Sequence, residues 1–507
     1  MKIHPKFLLL SLFITSVLLL CYSVTSAQLV PDFRVNEELH NTSNMIAEIA
    51  LNYNMNFTVV WGQRNISKNN IFAQRFDNRA NFLGFNFRIN TNPDSSSLPS
   101  ICYAPNGNFA ICWLEINSTI INSSKQKLRF FSPSGNPLTN EIVVNDSAGS
   151  FIERASIACT YKNELLFVWE QNGIRFQVFD SAGKKLGLNS KVNDYAGFSG
   201  TGHPSLAVRK NGSFIITWED TRPPASGNSN DIYLQIYDSL KNKVGVNRRV
   251  NDDTLLFNFQ ISAKVASDDS GNFVITWNDD RLYSSGSEIF AQLYNKQGNR
   301  IGNNFRVSQN SVDYTKGNCD VFMKPSGEFL VGWSEFRPFI RSPYFQRFNS
   351  QGMRIGNNYR VTQQFPGSEQ SYDDFVIAED RIISVWSDER NGLPEIFCNV
   401  RSFTNPDTTV EVVHLSAVVP ESFALGQNYP NPFNSSTTIR FSIRYSGMYS
   451  LKVYNSTGQK LSDLFSRKFT PSSYQITFSS YELASGVYFY ELSSSDERSI
   501  KKFVVLK

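Results

Sequence analysis

The sequence predicts an all-β protein: a ring of seven four-stranded antiparallel blades, a β-propeller, followed by a small immunoglobulin-like β-sandwich. Three observations carry that expectation. Seven tryptophans, Trp61, Trp113, Trp169, Trp218, Trp277, Trp333 and Trp386, recur at spacings of 52, 56, 49, 59, 56 and 53 residues. Seven short segments end in Val-Asn or a near equivalent: Val35-Asn36, Ile89-Asn90, Val144-Asn145, Val192-Asn193, Val250-Asn251, Val307-Ser308 and Val361-Thr362. The composition, 14% aromatic and rich in Asn, Ser, Thr and Gly, suits strands joined by many turns.

Each repeat reads in the same order. A tryptophan closes an apolar strand, as in Phe57 to Trp61, Phe214 to Trp218, Phe273 to Trp277 and Ile382 to Trp386, after a turn such as Asn211-Gly212 or Ser270-Gly271. A loop and an alternating strand follow, at 71–77, 174–180, 232–238 and 289–295. A tight turn at Gly135, Gly183, Gly298 or Gly352 then leads into the Val-Asn strand. With the strand before each tryptophan strand, such as Ser205 to Val208, every unit supplies four strands. A period near 50 residues fits a propeller blade, whereas sandwich modules need about 100 residues. The phase adds to this. The first Val-Asn strand, Phe33 to Asn36, precedes the first tryptophan, and the last unit, ending at Ile396 to Val400, has none of its own. The leading strand is therefore expected to complete the last blade and leave no open edge.

At 507 residues the chain is long for one core. Its expected organisation is a signal peptide at 1–27, the propeller at 28–403, a linker at 404–420 and the terminal sandwich at 421–507. The signal peptide is read from Lys2 and Lys6, the apolar run Phe7 to Cys21, and the small residues Thr25-Ser26-Ala27. No later run is long enough to suggest a membrane span. A net charge of +4, spread without a basic run, speaks against nucleic acid as a partner. Beyond the leader stand Cys102, Cys112, Cys159, Cys319 and Cys398, an odd number that full pairing cannot use. Cys102 and Cys112 flank the turn Pro105-Asn106-Gly107, where a bridge forms if the two Cβ atoms face each other. The alternative is five small buried apolar side chains.

In an up-and-down blade the short Gly turns share one face. The longer loops after each tryptophan strand share the other with the links between blades, which makes that face the expected binding surface. There, an acid two residues after tryptophan is followed by Arg: Asp220/Arg222, Asp279/Arg281, Glu335/Arg337 and Asp388/Arg390. Two readings stay open, a charged ring gripping a polar ligand or a brace repeated in each blade. The aromatic, basic stretch holding Phe336, Arg337, Phe339 and Arg341 is the first candidate for ligand contacts, with carbohydrate or a surface protein as the ligand.

Catalytic signals are weak in the sequence. His40, His203 and His414 are far apart and lack metal-ligand spacing, so neither a metal nor any other cofactor is expected. The loop-face acids Asp279, Asp280, Glu335 and Asp388 belong to the repeat and single out no acid–nucleophile pair. The Ser-x-Asp-x-Gly-x-Thr-Trp repeat of sialidases does not occur. The expectation is a non-catalytic binding or adhesion protein, with a secreted glycoside hydrolase or sialidase-like enzyme as the alternative.

After Arg401 the repeat stops. The tail opens with Leu425-Gly426-Gln427 and Asn428-Tyr429-Pro430-Asn431-Pro432-Phe433-Asn434, and continues through Leu451 to Gly458 and Leu483 to Tyr490, with Gly486 and Tyr488 in the last. It ends in Lys501-Lys502-Phe503-Val504-Val505-Leu506-Lys507. This order of motifs resembles the type A C-terminal sorting domain of the type IX secretion system. One departure is Ser435, where family members often carry Pro. The resemblance implies a small β-sandwich recognised by the type IX machinery and removed by a sortase-like peptidase. It also implies a protein secreted from, or attached to the surface of, a Gram-negative bacterium.

Overall fold

The computed structural model describes residues 28–506 except 38–41, 66–67, 93, 117–123, 146–154, 196–199, 223–229, 254–257, 283–285, 309–313, 338–339, 363–367, 405–411, 417–419, 435, 480–482 and 484. The expected signal peptide, His40, Phe339, Ser435 and Lys507 lie outside the described residues. All the regular structure described is β-strand.

Seven four-stranded antiparallel sheets come first, with strands in sequence order from the inner to the outer edge. Blades 1 to 6 occupy 43–88, 95–143, 155–191, 201–249, 260–306 and 315–360. Blade 7 joins Gln370–Ala378, Arg381–Asp388 and Glu395–Ser402 to the strand Gln28–Arg34 from the start of the described chain. Inner strands pack side by side around the ring, and that of blade 1, Ser43–Leu51, touches those of both blade 2 and blade 7.

Burial follows position in the blade. In blade 4 the middle strands Phe214–Asp220 and Asp231–Tyr237 are buried at every residue, because a neighbouring sheet covers each face. The outer strand Lys243–Arg249 is largely exposed. This is why middle strands read as unbroken apolar runs and outer strands as polar ones.

The Val-Asn motif has a local cause. The valine is buried, and the asparagine side chain accepts a hydrogen bond from a backbone N–H near the start of the third strand, as Asn90 does from Ile71 at 2.9 Å and Asn251 from Ile232 at 2.9 Å. In blade 7 the same bond runs from Ile396 to Asn36 at 2.9 Å, across 360 residues of sequence. Val35 N–H bonds to the Ile396 carbonyl at 2.8 Å, as Val250 does to Ile232 at 2.7 Å. The closing strand thus uses the same chemistry as a strand contributed by a continuous blade. It is also longer than the Phe33 to Asn36 segment legible in the sequence.

The tail forms two four-stranded sheets around one core that includes Leu451, Phe465, Ile476, Tyr490 and Phe503. The Asn-Tyr-Pro-Asn-Pro-Phe-Asn segment braces the last strand, Arg498–Val505. Buried Asn428 donates to Thr437 Oγ1 at 2.9 Å and to the Pro430 carbonyl at 3.1 Å, and its N–H donates to Tyr490 Oη at 2.9 Å. Asn431 accepts from Val504 N–H at 2.9 Å, while Phe433 enters the core beside Phe503 and receives the Leu506 N–H at 2.9 Å. The Tyr429-Pro430 and Asn431-Pro432 bonds are cis. A side chain on Gly426 would meet the Arg440 carbonyl at 2.9 Å, so this position takes only glycine.

Candidate functional site

The charged pairs after tryptophan have a definite geometry. In blades 4, 5 and 7 the indole N–H donates to the acid two residues on, at 3.0, 2.7 and 3.2 Å for Asp220, Asp279 and Asp388. Arg222, Arg281 and Arg390 hold those same carboxylates and stack on Tyr233, Phe290 and Phe397 at 4.3, 4.3 and 4.0 Å. Those rings in turn stack on Trp218, Trp277 and Trp386. Arg222 and Arg281 also reach Asp194 and Asp252 on the link from the preceding blade. Burial alone would raise the pKa of Asp194, Asp252 and Asp388, but hydrogen bonds from the arginines outweigh it and hold all three below the ordinary range. Glu335 takes the same buried position in blade 6, and in blades 1 to 3 it is held by Gln63, Glu115 and Gln171. The bonding capacity of the three Asp/Arg pairs is spent within and between blades.

A different set of groups surrounds the axis. A cavity of about 410 Å³ is lined by the first halves of the inner strands, with Arg341, Ser387, Glu389 and Pro394 at its rim. It lies toward the face of loops and links, because inner strands start there. The inner strands of six blades break register by a β-bulge beside it. In five of them a residue other than glycine takes the left-handed conformation: Ile46, Leu98, His203, Ser262 and Asn318, with φ of 57°, 51°, 46°, 57° and 53°. Backbone held in this region costs energy that the surrounding sheets must supply, and bulges of this kind re-aim side chains. Here they turn polar side chains toward the axis.

Three acids on three inner strands come together at this cavity: Glu48 of blade 1, Asp320 of blade 6 and Asp374 of blade 7. Burial, then the charge of Asp320, its hydrogen bond with Asp374 and the charge of Glu48 push the Asp374 carboxyl well above the carboxylate range. A 2.9 Å hydrogen bond from Ile49 N–H to Asp374 favours the charged form without prevailing. Lys264 and His203 also line the cavity. His203 Nδ1 lies 2.8 Å from Glu219 Oε1, which also takes the Ser262 N–H at 2.5 Å. Among the described residues no group of three or more His, Cys, Asp or Glu is placed to hold a metal ion.

The four residues chosen from the sequence as ligand contacts divide. Arg341 stacks on Phe336 at 4.4 Å and lines the cavity. Phe339 lies outside the described residues, and of Arg337 only the backbone is described, paired with Ile340. Sequence reasoning missed Glu48, Asp320 and Asp374. The one available signal was that they fall at one position of the inner strand, opposite the residue before the tryptophan, which is acidic only in blades 1, 6 and 7.

Residues 427–506 match the family described as secretion system C-terminal sorting domain. The tail is a type IX sorting domain. It makes the chain a substrate of the type IX secretion machinery, and the protein is secreted or displayed at the cell surface of a Gram-negative bacterium. No helix among the described residues is long and apolar enough to cross a membrane.

No curated protein matches the chain. Solved structures similar to it include a protein of unknown function from Dyadobacter fermentans, at 10% identity and TM-score 0.45, covering 74% of this chain and 98% of that one. A GH93 α-L-arabinofuranosidase of Fusarium graminearum in complex with arabinobiose has 12% identity and TM-score 0.44, with the same coverage of 74% and 98%. A PL25 ulvan lyase has 8% identity and TM-score 0.49, covering 75% and 96%.

The expectation that the chain is not an enzyme is corrected here. Neighbours in fold include a glycosidase and a lyase, so the architecture gives no ground for excluding catalysis. The physical reason for the error is the choice of acids. Asp279 and Asp388, weighed for catalysis in the sequence, are locked in braces, whereas Asp374, whose carboxyl is pushed well above the ordinary range, lines the cavity.

Proposed function

We propose that the sorting domain exports a propeller that takes a carbohydrate into its central cavity from the loop face and acts on a glycosidic bond there. One observation carries the reading: Asp374 meets Asp320 and Glu48 at the open cavity, where burial and their charges push its carboxyl well above the ordinary range. A carboxylic acid whose pKa is raised can protonate a leaving oxygen, while a second carboxylate stabilises positive charge or activates water. The clustered carboxylates accept hydrogen bonds from sugar hydroxyls. Arg341, laid flat on Phe336, offers donors at the rim. Binding at this face also gives the surface-located chain the ligand-holding role anticipated from its loops. A sortase-like peptidase that removes the tail after export completes the proposed route.

The test is incubation of the full chain with neutral polysaccharides, arabinan first, scoring both binding and reducing-end release. Turnover should fall about 10²- to 10⁴-fold in Asp374→Asn, with binding retained. Full turnover by that variant, or no saccharide bound or cleaved by the unaltered chain, would overturn the proposal.

A further inference from the structure

Of the two readings left open for the cysteines, the Cys102–Cys112 bridge is not the one the structure supports. Cys102 stands opposite Ala110 and Cys112 opposite Ser100, so the two are offset along neighbouring strands of blade 2. The Cys102 sulfur instead lies 2.9 Å from that of Cys159, on the inner strand of blade 3. Both thiols are reduced in this structure, and the inner strands that carry them pack against each other.

We propose that Cys102 and Cys159 form a disulfide that staples blade 2 to blade 3 in the exported protein. Two sulfurs at 2.9 Å need about 0.9 Å of movement to reach the bond length of about 2.05 Å. The sorting domain sends the chain out of the cytoplasm, where disulfides persist. Exposure sets the order of events. Cys102 is 8% exposed, whereas Cys159 is half-buried and reachable. The Cys159 thiolate therefore attacks the disulfide of an extracytoplasmic oxidoreductase, giving a mixed disulfide and one released thiol. Cys102 then displaces the second oxidoreductase sulfur. One S–S bond forms, two S–H bonds are lost, and two electrons and two protons pass to the oxidoreductase, which leaves as a dithiol. The other three thiols, Cys112, Cys319 and Cys398, are buried, and one pair with three unbridged thiols accounts for the odd count among the described residues. The staple closes a long loop across two blades near the ends of their inner strands, so it ties the ring where those strands meet.

The experiment is peptide mapping of the exported protein as recovered from outside the cell, alkylated in denaturant before reduction. A linked peptide pair containing Cys102 and Cys159 is expected, with Cys112, Cys319 and Cys398 alkylated. In Cys112→Ser the link should persist; in Cys159→Ser it should vanish. Reductant should lower the melting temperature of the unaltered chain by several degrees and leave that of Cys159→Ser unmoved. Alkylation of both Cys102 and Cys159 without reduction, or a Cys102–Cys112 link, would overturn the proposal.

Discussion

Asp388 and Asp374 sit on adjacent strands of blade 7 and carry the same carboxyl group into opposite circumstances. Asp388 is fully buried, takes hydrogen bonds from Trp386, Ser368, Gln370 and Arg390, and is held below the ordinary carboxylate range. Asp374 reaches the cavity, meets other acids rather than an arginine, and is held above that range. The first belongs to a device repeated around the ring, and the second shares its inner-strand position with Glu48 and Asp320, where the other blades carry Ser100, Ser156, Ser205 and Lys264. In a repeat protein a recurring side chain whose bonds are spent within and between blades is explained by packing, and acids that meet one another at an open cavity ask for a functional explanation.

The comparison can be broken in several ways, and the largest effect expected is on the ring itself. Deleting residues 28–36 removes the outer strand of blade 7 and the Asn36 bond to Ile396. The deletion should abolish cooperative thermal unfolding of the propeller, read by circular dichroism. Next, Asp279→Ala leaves Arg281 and the Trp277 N–H without their buried acceptor. A loss of about 3–5 kcal/mol is expected in denaturant titration. Asp374→Asn should not destabilise the fold at neutral pH, since it removes a carboxyl whose charged form is disfavoured in the folded chain. A smaller effect is expected from Asn251→Ala, which removes bonds to Ile232 N–H and Asp231. It should cost about 1–3 kcal/mol by the same titration.

The smallest expected effect is in the pH dependence, where the two acids have opposite signs. The depressed pKa of Asp388 gives stability that is full above the unfolded value of about 3.9 and fades as pH falls through the folded one. The raised pKa of Asp374 gives stability that is full below about 3.9 and fades as pH rises toward its folded value. Stability curves of Asp388→Asn and the unaltered chain should therefore converge on acidification. Asp374→Asn should gain on the unaltered chain as pH rises above about 4.

The fold class was legible because its cause is local. A tryptophan at the end of each second strand, stacked on the third-strand aromatic in five blades, and a Val-Asn at each link leave a period that needs no coordinates. The sorting domain was legible for a similar reason: Asn428, Asn431 and Phe433 each satisfy a contact within the tail, so they occur as a compact motif. The acid cluster was not legible. Glu48 and Asp374 are separated by most of the chain and meet only because the ring closes. Their aim also depends on bulges that carry no glycine to announce them. The Cys102–Cys159 contact was hidden likewise, since inter-blade register cannot be read from spacing within one blade.

Infrared difference spectroscopy of the carboxyl stretch tests the central claim directly, by comparing the unaltered chain with Asp374→Asn at neutral pH. A protonated-carboxyl band present in the former and missing in the latter is the predicted result. Identical spectra in that region would mean that Asp374 is ionised, and the cavity would lose the group on which its proposed chemistry rests.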